Sequence, residues 1–160
     1  MILGANEWAA IASAIASFGS LAVATITYRQ QSENNKQAEL DKLKDRLIAL
    51  ASRANSYKNI QGKGLRSFND AADLVYAIDS ATFRILSVSR KYKLDKSQTE
   101  DLKAYFINYL SYQIFEEMRL KDLPTFEMEP SYGIDEVDHV HFLWNRGVGY
   151  LMFNKEILRD

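Results

Sequence analysis

The chain of 160 residues has no cysteine, two prolines, seven glycines and two histidines, and its net charge is −1. Without cysteine there is no disulfide framework and no thiol nucleophile, and the composition is compatible with a reducing compartment. With two prolines, both between residues 124 and 130, nothing interrupts a helix over long stretches. A net charge near zero excludes a generic DNA-binding surface. There is no GxSxG, no Walker A loop and no paired-carboxylate motif in a recognisable context, so no enzymatic chemistry is legible. No cofactor is implied.

Charge is missing most completely from Trp8 to Tyr28, WAAIASAIASFGSLAVATITY. A helix of that length rises roughly 31 Å at about 1.5 Å per residue, which matches a hydrocarbon core of about 30 Å. Trp8 and Tyr28 bracket the run at positions that suit membrane interfaces, and Arg29 follows as a charged stop. The run is rich in Ala and Ser, and a buried helix of a soluble bundle is the competing reading. A cleaved signal peptide is a third, but the leader MILGANE carries no Lys or Arg. The reading adopted is an uncleaved transmembrane anchor in contact with the lipid bilayer.

Basic residues follow the span and none precede it: Arg29, Lys36, Lys42, Lys44 and Arg46. The positive-inside rule then puts the N-terminus outside and the C-terminal domain in the cytoplasm, with the anchor in the inner membrane.

Within the span, Ala12, Ala16, Ser20 and Ala24 recur every four residues on one helix face. Such a face lets helices approach closely in lipid, which points to a homo-oligomer; an Ala-rich anchor also shows such rows by chance. Beyond the span, Leu40, Leu43, Leu47, Leu50, Ala54 and Tyr57 follow an a/d heptad spacing. This stripe suits either an oligomer seam or packing on the protein's own C-terminal helices. One long helix is expected from about residue 7 to 56.

The remaining chain reads as helical. Ser67 with Asp70, and Ser97 with Glu100, have capping-box spacing. They predict helices to about Tyr92 and to about Lys121. Thr125 to Met128 has room for a short extended piece. A last helix is expected from Ile134 to about Leu158, weakened by Gly147 and Gly149. The fold class is all-α: one transmembrane helix continues into a cytosolic helix and then a small helical bundle. The expected segments are an anchor over 1–29, a linker helix over 30–57 and a helical domain over 58–160.

The most suggestive site is Tyr57-Lys58-Asn59-Ile60-Gln61-Gly62-Lys63-Gly64-Leu65-Arg66-Ser67. Two glycines and three cations stand directly before a capped helix start. Free N–H groups there favour anions, and glycine permits close backbone approach. Lys58, Lys63 and Arg66 would supply charge, Tyr57 a stacking face and Ser67 the cap. The plain alternative is a polar connection. Arg84, Arg90, Lys91, Lys93 and Lys96 form a second basic cluster near a helix C-terminus, where cations are favoured anyway. His139 and His141 diverge on a helix, so no metal site is expected there. Tyr105, Tyr109 and Tyr112 have the means to stack bases but also suit a core.

The Trp8–Tyr28 span, the heptad from Leu40 and the basic loop at Lys58–Arg66 together resemble small membrane effectors of bacterial antiphage defence. These include the type III CRISPR effector that joins an N-terminal membrane helix to a cytosolic domain binding cyclic tetra-adenylate. The resemblance implies a tetramer that senses a cyclic oligonucleotide and perturbs the membrane. A second expectation is an interaction protein: a phage superinfection-exclusion factor, or an anchor that recruits a cytosolic partner.

Overall fold

Long runs free of proline give long helices, and the computed structural model is all-helical over the residues it describes, 4–58, 66–121 and 133–153. Side chains of residues 5–7, 10–12, 14 and 15 fall outside that description. The helices are α1 (Ala5–Ser56), α2 (Phe68–Lys91), α3 (Lys96–Asn108), α4 (Tyr112–Leu120) and α5 (Ile134–Phe153). The expected extended piece at Thr125–Met128 and the last helix beyond Phe153 lie outside the described residues.

The chain divides into two units, residues 1–39 and 40–160. The first holds only the part of α1 up to Glu39. Trp8, Phe18, Leu21, Val23, Ile26 and Tyr28 are each more than half exposed there. Among the described residues no helix is long and apolar enough to cross a membrane. Ala10, Ile11, Ala12, Ala14 and Ile15, in the N-terminal half of the apolar run, belong to the undescribed side chains.

In the second unit the heptad stripe goes inward. Leu43, Leu47, Ala51 and Ala54 are at most 3% exposed, and Leu40, Leu50 and Tyr57 pack against the same core. The seam is therefore filled by the chain's own helices. Apolar residues at period 3.6 on α2 and α5 complete that core, with Leu74, Ile78, Ile85, Trp144 and Leu151 buried. Gly147 does not break α5, which runs unbroken to Phe153. A Cβ at Gly147 would stand 3.1 Å from Ile78 Cγ2, with the Asp79 backbone at 3.6 Å. The absent side chain is what lets α2 and α5 approach.

Two helix boundaries differ from expectation. The capping box opening α3 is Asp95–Gln98 and not Ser97–Glu100: the Asp95 carboxylate accepts from Gln98 N at 2.8 Å, and Gln98 Oε1 accepts from Asp95 N at 3.3 Å. Leu94, just before the cap, packs on the core. That hydrophobic anchor sets where the chain enters the helix. The expected helix to Lys121 is split into α3 and α4. Ser111 caps α4 by accepting from Ile114 N. The Asn55 side chain donates to Tyr109 O at 2.8 Å and accepts from Ser111 N at 2.7 Å. A residue of α1 thus takes over backbone groups that a continuous helix would have paired. Tyr105 and Tyr109 therefore belong to the end of α3, and Tyr112 opens α4.

Candidate functional site

Ser67 is the N-cap of α2, accepting from Asp70 N, so the helix start that follows the basic segment in sequence is where its sequence places it. Residues 59–65, with Lys63 and both glycines, lie outside the described residues. Lys58 is exposed. Arg66 is only 5% exposed. Its Nε donates to Tyr57 O, and its Nη2 donates to Glu117 Oε1 at 3.0 Å, where Gln113 Nε2 donates as well. A guanidinium removed from water needs such partners. Arg66 thus serves as an internal tie between the loop's end and α4. Its Nη1 and Glu117 Oε2 are buried without a hydrogen-bond partner among the described residues.

Tyr57 is likewise engaged. Its hydroxyl donates to Asp73 Oδ2 at 2.8 Å, and Arg53 Nη2 donates to Asp73 Oδ1 at 2.8 Å. The hydrogen bond to Asp73 holds the Tyr57 hydroxyl above its ordinary pKa. Arg53 is raised as well, by its bond to Tyr57 and then by the Asp73 charge. Of the five residues expected to meet a ligand, Tyr57, Arg66 and Ser67 are thus bonded within the protein.

In the other expected set, Ala16, Ser20 and Ala24 are exposed on α1, and the side chain of Ala12 is outside the description. Ser20 Oγ donates to Ala16 O at 2.9 Å, so its hydroxyl is satisfied within the helix. In the second basic cluster, Arg90 and Lys91 lie in the last turn of α2, where their charge complements the helix end. His139 is exposed and His141 half-buried, two positions apart on α5. Among the described residues no group of His, Asp and Glu is placed to hold a metal ion.

Two arrangements carry more organisation than the loop. Arg146 of α5 grips Asp79 of α2 through two bonds, Nε to Oδ1 at 3.0 Å and Nη2 to Oδ2 at 2.9 Å. Its guanidinium lies 4.5 Å from the Phe83 ring and 5.2 Å from the Phe142 ring. Both rings are nearly half exposed. The signal was a lone carboxylate, Asp79, among the interior positions of α2, which demands a cation from elsewhere. The second arrangement is Lys103, 3% exposed, whose Nζ bonds Glu100 at 3.1 Å and sits 4.0 Å from the Tyr150 ring. Burial, with the Glu100 charge second, pushes the Tyr150 hydroxyl above its ordinary pKa.

The chain matches no protein-family model, no curated protein and no solved structure.

Proposed function

We propose that this is a non-enzymatic membrane protein in which residues 8–28 of α1 lie in a bilayer, with the N-terminus outside and the helical domain in the cytoplasm. The observation that supports the reading is the state of the side chains along that stretch. Phe18, Leu21, Val23 and Ile26 are all exposed. At about 100° per residue they spread over roughly 200° of the helix surface, so one neighbouring helix would cover only some of them. A surrounding hydrocarbon phase covers them all. Three of the polar side chains that weaken the run's hydropathy are internally bonded: Ser17 to Ser13 O at 2.9 Å, Ser20 to Ala16 O at 2.9 Å, Thr25 to Leu21 O at 2.8 Å. A hydroxyl already bonded costs less to take out of water.

In this reading copies associate through the face of Ala12, Ala16, Ser20 and Ala24, and the layout fits an effector that perturbs the membrane in antiphage defence. A cyclic oligonucleotide would then meet Lys58 and Lys63, because Tyr57 and Arg66 are engaged within the fold. A second reading, an anchor that recruits a cytosolic protein or acts in superinfection exclusion, is favoured by the exposed Phe83 and Phe142 beside Arg146. The test is alkaline carbonate extraction of membranes holding either the full chain or a version beginning at Gln30. The full chain should stay in the pellet and the shorter one leave it. If both are extracted alike, the anchor is wrong. In detergent, Ala16→Leu/Ser20→Leu should remove the higher cross-linked bands; an unchanged ladder moves the interface elsewhere.

A further inference from the structure

We propose that a cavity between the C-terminal part of α1 and the start of α3 binds a small zwitterion with an apolar side chain, of the class of the apolar α-amino acids. The cavity lies wholly within the second unit and measures about 270 Å³. That is just below the usual small-molecule pocket of about 300–1,000 Å³, so its occupant is of amino-acid size. Leu40, Leu94, Leu102 and Tyr105 give it apolar walls. Lys44 of α1 and Asp101 of α3 bring opposite charges to the same space, and Gln98 adds an amide. Neither Lys44 nor Asp101 is in an ion pair among the described residues. Lys44 Nζ instead stands 5.8 Å from the Tyr105 ring centroid. Gln98 Oε1 is occupied by the Asp95 cap, which leaves the amide hydrogens for another acceptor.

The charges select the ligand. Asp101 repels an anion that Lys44 alone would attract, so a phosphate of up to two negative charges is a poor occupant. A lone cation is opposed by Lys44. A molecule with both a carboxylate and an ammonium satisfies Lys44 and Asp101 together, through charge-assisted hydrogen bonds. Its apolar side chain takes the leucine-lined wall. This reading is independent of the membrane anchor.

The test is calorimetric titration of the full chain in detergent with L-leucine, L-phenylalanine and L-tryptophan. The controls are N-acetyl-phenylalanine amide, which lacks both charges, and adenosine monophosphate. At least one amino acid should bind saturably at one site. Lys44→Met and Asp101→Asn should each weaken it about tenfold or more, and the uncharged analogue should bind equally poorly. Arg84→Ala, at an exposed position away from the cavity, should leave binding unchanged. Lys44 and Asp101 both reach solvent, so the variants should keep the parent circular dichroism spectrum. Absence of saturable binding up to about 10 mM, where affinity is weaker than about 3 kcal/mol, overturns the proposal. So does binding that survives both substitutions. Adenosine monophosphate binding that Asp101→Asn strengthens would reassign the cavity to an anion.

Discussion

Between residues 16 and 35 of α1 every side chain is exposed, and the hydroxyls of Ser17, Ser20 and Thr25 bond only to carbonyls four residues back. Between residues 43 and 54 of the same helix, Leu43, Leu47, Ala51 and Ala54 are all but sealed from solvent. The first stretch carries no charge from residue 16 to residue 28, whereas the second holds Lys44, Asp45, Arg46 and Arg53, so freedom from charge does not decide burial within the chain. Spacing does. Residues 43, 47, 51 and 54 return to one face, which a neighbouring helix can cover; residues 18, 21, 23 and 26 do not. The polar contacts differ in the same way. In the first stretch they are local, whereas Arg66–Glu117, Asn55–Ser111 and Arg146–Asp79 join positions more than fifty residues apart.

The sharpest test of this contrast compares two leucines. Leu47→Ala should cost about 2–5 kcal/mol, the usual range for a buried leucine. Leu21→Ala should change the stability of the helical domain by less than about 0.5 kcal/mol. Denaturation of the full chain in detergent, followed by Trp144 fluorescence in a Trp8→Phe background, reads both. Equal losses would erase the distinction.

Arg66 separates an internal tie from a ligand contact. Arg66→Ala leaves Glu117 without its cation and should cost about 2–3 kcal/mol, below the full range for buried pairs because Glu117 is partly exposed. Lys58→Ala should leave stability unchanged. A stable Arg66→Ala protein would return this residue to the surface. Asn55→Ala should cost about 1–3 kcal/mol through two lost hydrogen bonds. Hydrogen exchange should locate that loss at the amide of Ser111, with the interior of α2 keeping its protection.

The smallest effect is in pH. Burial raises the Tyr150 pKa in the folded chain, so the unfolded chain, with a tyrosine pKa near 10, loses its proton first. The stability Tyr150 contributes is complete below about pH 10 and is lost as pH rises through the folded value. Thermal unfolding between about pH 9 and 11 should fall less steeply in Tyr150→Phe. An identical slope would show that the ring's hydroxyl is not held in an apolar setting.

Much of the helical plan was readable because its signals are local. The cap at Ser67 needs only Asp70, and the inward stripe from Leu43 to Ala54 needs only its own period. The α3 cap stands two residues before the expected one, because Asp95–Gln98 and Ser97–Glu100 both satisfy the local rule. Leu94, packed on the core, chose between them. The expected ligand loop holds three cations in sequence, yet Arg66 finds Glu117 fifty-one residues away. Nothing near Arg66 in the chain announces that partner.

By itself the sequence determined that the chain is helical, where α2 begins, and which face of α1 beyond Leu40 is apolar, since each depends on side chains and backbone within one or two turns. Tertiary structure alone decided that this face is filled by the protein's own helices. It also decided that α3 and α4 part at Ser111, that Gly147 is a contact and not a break, and that Lys44 and Asp101 share a cavity. Each of those outcomes rests on groups that meet only when distant segments pack, where a hydrogen bond or a missing Cβ outweighs the weak preferences of the local chain.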